Sequence, residues 1–350
     1  MDRKDEIIRL QNRILHEYAQ HELKMIGNDL WGKPADPKVK KLHEKVADIT
    51  AEAPQAQAAD GKKTEDSAAP EEKQTPPENI EDLKKELHGY IGLNLIKDEV
   101  ESLINWIEIC KQRKAFDLPT PELSLHMVFS GNPGTGKTMI ARLMARIYHS
   151  LGILSKGQLV EVDRSGLVAG YVGQTAGKTT EVIKKALGGV LFIDEAYTLI
   201  NKSENDFGQE AVDTILKAME DNRDDLVVIV AGYTELMEEF IHSNPGLESR
   251  FNRFMHFPDY TIDEMLAIFD MRCGQSGYLV ADNARDELQK ILEEKSQDIG
   301  GFGNARGVRN LFEKAIAEQA DRLAASDAPL TKELLMTLTE EDINAAAEKA

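Results

Sequence analysis

Gly131-Asn132-Pro133-Gly134-Thr135-Gly136-Lys137-Thr138 is the stretch on which the reading of this chain turns. It follows the apolar run Leu125 to Phe129 and precedes a helical pattern from Met139 to His149, so it predicts strand, phosphate-binding loop, helix. Glycines at this spacing let the backbone curl until successive N–H groups point inward at a polyphosphate, and the helix that follows adds its positive end. Lys137 is placed to reach the terminal phosphates and Thr138 to ligate Mg²⁺, with the loop from Asn132 through Met139 forming the nucleotide-binding set. ATP or GTP binding is the first expectation.

Downstream, Gln158 to Val162 reads as a short strand, and Val190 to Ile193 as a continuous apolar strand of the kind buried on both faces of a parallel sheet. The second ends in Asp194-Glu195. Ligands of open α/β sheets bind at the carboxyl ends of the strands, so these acids should meet the phosphate loop. Asp194 is then expected in the Mg²⁺ shell, with Glu195 positioning and deprotonating the attacking water. Between the two strands, Ala169-Gly170-Tyr171-Val172-Gly173-Gln174-Thr175 is unusual for core sequence. It predicts either a finger presenting Tyr171 and Val172 or a buried tyrosine in a turn.

A third buried strand, Leu226 to Ala231, ends at Gly232-Tyr233-Thr234, and a fourth spans Phe254 to Phe257. Between them lie Arg250 and Arg253. Arginines there are ordinary surface charges unless one of them is supplied to a neighbour's γ-phosphate. Beyond Tyr260 the pattern is helical: Ile262 to Met271, Ala284 to Lys295, Val308 to Ala325 and Thr339 to Lys349. Within that region Gly301-Phe302-Gly303-Asn304-Ala305-Arg306-Gly307-Val308-Arg309 opens a helix with two arginines one turn apart, either of which could reach the nucleotide.

Upstream, Asn79 is an expected N-cap before Ile80 to Leu87, and Gly89-Tyr90-Ile91-Gly92-Leu93 precedes another helical pattern. The side chains of Tyr90 and Ile91 suit an adenine ring, although the turn could be only a connection. Residues 5–27 carry Ile7, Leu10, Ile14, Leu15 and Tyr18 at helical spacing, which predicts an amphipathic helix. Pro54 to Pro77 has no apolar periodicity and reads as a disordered linker. The expected organisation is a helical module over 1–31, a linker over 32–79, an α/β domain over 80–260 and a helical domain over 261–350.

With 350 residues the chain has ample material for two domains. A net charge of −19 argues against a sequence-independent grip on nucleic acid, which depends on clustered Lys and Arg. Cys110 and Cys273 lack metal-ligand spacing and read as free thiols in a reducing compartment. No apolar run approaches membrane-spanning length, and the expected location is cytoplasmic.

From about Leu83 onward this set of motifs resembles an AAA+ ATPase and, within that superfamily, the CbbX and stage V sporulation protein K group. The resemblance rests on Gly131 to Thr138, Tyr171 to Thr175, Gly188 to Tyr197, Gly208 to Ala211, Asn222 to Tyr233, Asn244 to Phe251, and Phe257 to Tyr260. It implies a P-loop parallel sheet flanked by helices, followed by a small all-α lid. It also implies that Lys137 and Thr138 are Walker A residues and that Asp194 and Glu195 are Walker B residues. Arg250 corresponds to a trans-acting arginine finger, with Arg253 as its competitor, and Arg306 to the sensor 2 arginine, with Arg309 as its competitor. Tyr171 and Val172 match a pore-loop pair that grips polypeptide. Many relatives end the third strand in a polar Asn, sensor 1; Tyr233 and Thr234 stand there in this chain, Thr234 the weaker candidate. The family implies ATP with Mg²⁺, a homohexameric ring and a protein substrate.

Three functions compete on these residues. A ring that remodels or translocates protein is the leading one. An ATP-dependent switch or scaffold recruiting a partner through the N-terminal helix would not need Glu195 as a base, and a nucleic-acid motor is opposed by the acidic balance. Rubisco activation is a narrower alternative within the leading class, ranked lower because the N-terminal helix and linker lie outside the activase pattern.

Overall fold

Val227, Ile229 and Ala231 turn their side chains into one apolar core while Val228 and Val230 turn theirs into another. That alternation is the period of a strand with both faces covered. In the computed structural model, which describes residues 76–121, 124–171, 173–200 and 207–349, it repeats across one five-stranded sheet. The strands are β1 (Met127–Ser130), β2 (Leu159–Val162), β3 (Val190–Ile193), β4 (Val227–Gly232) and β5 (Arg253–His256), in spatial order β2-β3-β4-β1-β5. Every neighbouring pair is parallel, with Met127 opposite Ile229 and Val190 opposite Val227. Each strand starts or ends within two residues of its expected position. The N-terminal helix, the linker and Val172 lie outside the described residues.

Helices α1 (Ile80–Gly89), α2 (Asn94–Ala115) and α3 (Lys137–Ser150) contribute to the core on the Met127 and Phe129 face. The opposite core, around Val128, Leu191 and Ile193, is closed by α4 (Arg164–Leu167), α5 (Thr175–Ala186), α6 (Gly208–Asp221), α7 (Thr234–His242) and α8 (Pro245–Arg250). Local chemistry sets the helix starts. The Asn79 side chain accepts the Glu81 N–H at 3.0 Å, an N-cap that satisfies one orphan donor of α1. Arg146 on α3 binds Glu78 at 2.6 Å and Glu86 at 2.8 Å, tying the start of the domain to the helix that leaves the phosphate loop.

Past Tyr260 come α9 (Ile262–Ser276), β6 (Leu279–Val280), α10 (Asp282–Lys295), α11 (Ile299–Phe302), α12 (Asn304–Ala325), α13 (Lys332–Met336), β7 (Thr337–Leu338) and α14 (Glu340–Glu348). Thr261 and Glu264 form a reciprocal capping box that starts α9 directly after the last strand of the sheet. The C-terminal region is helical as expected, with one difference: β6 and β7 pair in parallel, Leu279 opposite Thr337. Two-residue strands are too short to leave a periodic signal in a sequence. Val308, Leu311 and Phe312 of α12 join the same core as α1 to α3. Gln74–Arg322 with Thr337–Ala350 form one compact unit that contains the whole candidate site; Leu323–Met336 belong to a second. Among the described residues no helix is long and apolar enough to cross a membrane.

Candidate active site

The loop that leaves β1 is anchored before it reaches any ligand. The Gly131 N–H donates to the Gly232 carbonyl at the end of β4 (3.1 Å), and the buried Thr135 hydroxyl donates to the Asn132 carbonyl at 2.8 Å. Gly134 has φ +76°, and a Cβ there would lie 2.0 Å from the Gly303 carbonyl oxygen, so no side chain fits where this loop meets the start of α12. Lys137 is the first residue of α3. Its ammonium donates to the carbonyl oxygens of Gly131 (2.7 Å) and Asn132 (2.8 Å). Burial pushes this ammonium down to about 8; Arg306 adds to the depression, while the carboxylates of Asp194 and Asp259 oppose it.

A cleft of about 250 Å³ opens over the loop. Its walls bring together Lys137, Thr138 and Met139 of α3, Asp194 and Glu195 after β3, Tyr233 after β4, and Arg306 of α12. These residues come from four separate segments, and three of the segments start at the carboxyl ends of neighbouring parallel strands. Glu195 is exposed and sits at φ 49°, ψ 42°, a left-handed conformation that costs a non-glycine residue on the order of 1 kcal/mol. There the chain turns sharply from a fully buried strand into the 3₁₀ segment Ala196–Leu199, and the turn aims Glu195 into the cleft instead of along the strand.

Several expected residues fall elsewhere. Tyr90 and Ile91 do not line the cleft: the Tyr90 hydroxyl donates to Glu86 at 2.8 Å, and both residues pack on the core beneath. Asn132 turns its amide away to Asp259 at 2.9 and 3.0 Å. Tyr233 lines the cleft, whereas Thr234 opens α7 outside it. The arginine pairs separate cleanly. Arg306 faces the cleft, and Arg309 pairs along its own helix with Glu313 at 2.7 Å. Arg250, at the end of α8, is half-buried, ion-paired to Glu220 and absent from the cleft of its own chain. Arg253 stacks over Trp106 at 4.9 Å and donates to the Ser124 carbonyl at 3.3 Å, which makes it a packing residue of the sheet edge.

Tyr171 is 74% exposed, so the alternative of a buried tyrosine in a turn is not what forms. The segment that leads to it is held firmly. The Lys178 ammonium donates to the carbonyls of Ser165 (2.6 Å) and Val168 (3.0 Å), and the Ala169 N–H donates to the Thr175 hydroxyl at 3.1 Å. A second concavity, lined by Asp163 through Gly170 in part and by Thr198, is bordered by the same Glu195 that faces the nucleotide cleft. Two residues carry more of the site than sequence reasoning assigned them. They are Asp259 and Asn304, joined by a hydrogen bond at 2.8 Å, and neither stands at a spacing in the chain that implies such a role.

The region 127–259 matches the model of the ATPase family associated with various cellular activities (AAA), and residues 261–350 match that of the AAA lid domain. The chain belongs to the AAA ATPase family. It is 39% identical over 267 residues to stage V sporulation protein K of Bacillus subtilis (strain 168), covering 76% of this chain and 83% of that one. It is 44% identical over 271 residues to protein CbbX of Cereibacter sphaeroides, covering 77% and 86%. With the chloroplastic ribulose bisphosphate carboxylase/oxygenase activase of Cyanidioschyzon merolae the figure is 42% over 268 residues, covering 76% and 90%. Among solved structures the FIGL-1 AAA domain is similar at TM-score 0.52 and 17% identity, covering 81% of this chain and 92% of that one, a likeness of fold. This AAA protein is therefore a nucleotide-binding ATPase of the group that includes CbbX and stage V sporulation protein K.

Proposed function

We propose that this AAA ATPase works as a homohexameric ring that remodels or translocates a protein substrate through a pore lined by Tyr171 and Val172. The observation that carries the reading is the position of Glu195. It borders both the nucleotide cleft and the concavity behind the loop that presents Tyr171, so a change at the γ-phosphate has a short mechanical route to an exposed aromatic side chain. A tyrosine offered on a pinned loop grips side chains through apolar contact without reading their sequence.

Within the cleft, Lys137 and the N–H groups of the loop hold the phosphates, Glu195 orients and deprotonates the attacking water, and Arg306 reads the nucleotide from the lid. The ammonium of Lys137, now held by carbonyls of its own loop, and the amino end of α3 fit an anionic ligand. Mg²⁺ would be held by Thr138 and Asp194. One carboxylate and one hydroxyl suit an ion that keeps waters and shares phosphate oxygens, and when bound it neutralises phosphate charge. Arg250 is supplied to the adjoining subunit, in keeping with its place outside its own cleft. The domains run over 80–260 and 261–350, with the N-terminal module over 1–31 tethered by 32–79, and the protein acts in the cytoplasm.

The test is capture with Glu195→Gln. The expected result is a ring that retains ATP, hydrolyses it at least about a hundredfold more slowly and co-purifies with a protein substrate. Hydrolysis at the parental rate removes the base assignment, and a monomer under saturating ATP removes the ring. A second reading, activation of Rubisco, is favoured by the 42% identity to the Cyanidioschyzon merolae activase. Stage V sporulation protein K, at 39%, bears a name that points elsewhere. Release of an inhibitor from purified Rubisco, assayed directly, separates the two.

A further inference from the structure

Asn304 is a fully buried polar side chain at the first position of α12, two residues before Arg306. Its backbone is left-handed, φ 52°, a conformation that asparagine tolerates better than most residues. The carboxamide bonds in three directions. Its oxygen accepts the Tyr260 N–H at 3.0 Å, and its nitrogen donates to Asp259 Oδ1 at 2.8 Å and to the Pro133 carbonyl at 3.3 Å. Asp259 in turn accepts the Asn132 amide on both oxygens, at 3.0 and 2.9 Å. A backbone bond runs alongside, from the Ala305 N–H to the Gly134 carbonyl at 3.3 Å. Asn132, Pro133 and Gly134 of the phosphate loop are thus tied to the first turn of the helix that carries Arg306, with the buried amide of Asn304 and the carboxylate of Asp259 at the junction.

We propose that Asn304 is a positioning residue for ATP turnover: through Asp259 and the Pro133 carbonyl it holds the phosphate loop and the Arg306 helix as one unit. It touches no cleft surface and acts through other groups. The inference rests on the nucleotide-cleft reading above and adds to it the connection between two of its walls. A hydrogen bond to a charged acceptor is stronger than a neutral one, and although Asp259 itself is exposed, losing the buried Asn304 amide also takes from the Tyr260 N–H and the Pro133 carbonyl the partner that joins them, so the two elements move separately. Removing the amide therefore loosens the loop and misplaces Arg306 together.

The discriminating experiment measures binding of a fluorescent ADP analogue and steady-state ATP hydrolysis in full-length Asn304→Gly, Asn132→Ala, Arg306→Ala and the two double variants that include Arg306→Ala. Glycine keeps the left-handed backbone and removes only the amide. Asn304→Gly is expected to weaken nucleotide binding about tenfold and Asn132→Ala about threefold. The decisive reading is coupling: Arg306→Ala should cost at least about threefold less in kcat/KM on the Asn304→Gly background than in the parent, since its guanidinium is already misplaced there. Asn304→Asp should bind nucleotide more weakly than Asn304→Gly, because it sets a second carboxylate against Asp259. Fully multiplicative effects, or parental binding and parental KM in Asn304→Gly, overturn the proposal. If that variant does not fold, parental binding in Asn132→Ala with no coupling to Arg306→Ala overturns it equally. Lys137→Ala separates the two readings: its binding nucleotide like the parent defeats the cleft reading. Its failing to bind, while the Asn304 and Asn132 variants behave as the parent, defeats only the positioning role of Asn304.

Discussion

The ammonium of Lys137 rests on the carbonyl oxygen of Gly131, six residues earlier, at 2.7 Å. A second bond to Asn132 at 2.8 Å completes a closed loop whose cation is turned on its own backbone. Phosphate oxygens must compete with these carbonyls for the same protons, and they bring the negative charge that the carbonyls lack. In the free site burial holds the ammonium at about 8. A bound polyphosphate favours the charged form and raises that value. Binding therefore takes up a proton above about pH 8 and none from this group at pH 7, and affinity falls as pH rises through 8. Calorimetry at pH 7 and pH 8.5, in buffers of different ionisation heat, should show proton uptake only at the higher pH. Uptake that is equal at both, or absent from both, contradicts the assignment.

Arg250 and Arg253 are expected to fail differently. Arg250→Ala should lower the rate of ATP hydrolysis at least about thirtyfold while nucleotide binding stays near parental, and rings mixed with the Glu195→Gln variant should recover activity. Arg253→Ala should cost about 1–2 kcal/mol of stability through loss of the Trp106 contact and the Ser124 hydrogen bond, with a much smaller effect on rate. Thermal unfolding alongside turnover separates the pair. The reverse pattern would reassign the finger to Arg253.

Tyr171→Ala is expected to reduce substrate-dependent work at least about tenfold, with a smaller change in substrate-free hydrolysis, because the side chain is exposed and outside the cleft. Tyr171→Phe should retain most of the function, since the grip is apolar. A trapped substrate, once in hand, gives the assay. Full work by the alanine variant would remove the pore loop from the mechanism.

His126 gives a stability signature of its own. It is buried beside Phe251, and its Nδ1 accepts the Val228 N–H at 3.0 Å, a role open only to the neutral ring. Burial, with Arg250 nearby, pushes it down from 6.5 to about 4. The unfolded chain binds a proton in that interval and the folded one does not, so the contribution is complete above pH 6.5 and is lost as pH falls from 6.5 to 4. His126→Asn should flatten the rise of Tm with pH across this window. An unchanged slope assigns the acid sensitivity to other groups.

Much of the α/β domain was legible because its signals are local and periodic. Val190 to Ile193 is apolar at every position, and only a strand buried on both faces asks for that in four residues. The phosphate loop is legible for the same reason, since its glycines, Lys137 and Thr138 are adjacent in the chain. Tyr90 and Ile91 show the limit. Their composition suits a base, yet neither lines the cleft: the Tyr90 hydroxyl donates to Glu86 four residues earlier, and both residues pack against the core, a placement that composition does not specify.

Residues adjacent in the chain are enough to specify the succession of strands and helices, the loop, the acids after β3 and the set of arginines from which the site draws. Short-range chemistry suffices for each. Packing in three dimensions chose among equals: that Arg306 faces the cleft while Arg309 binds Glu313, that Arg253 stacks on Trp106 while Arg250 stands outside its own site, and that Asn304 joins Asp259 to the phosphate loop. The Arg309–Glu313 pair is local, four positions apart, but which arginine faces the cleft depends on how α12 packs, and the other outcomes depend on partners 30 or more positions away, which no local pattern carries.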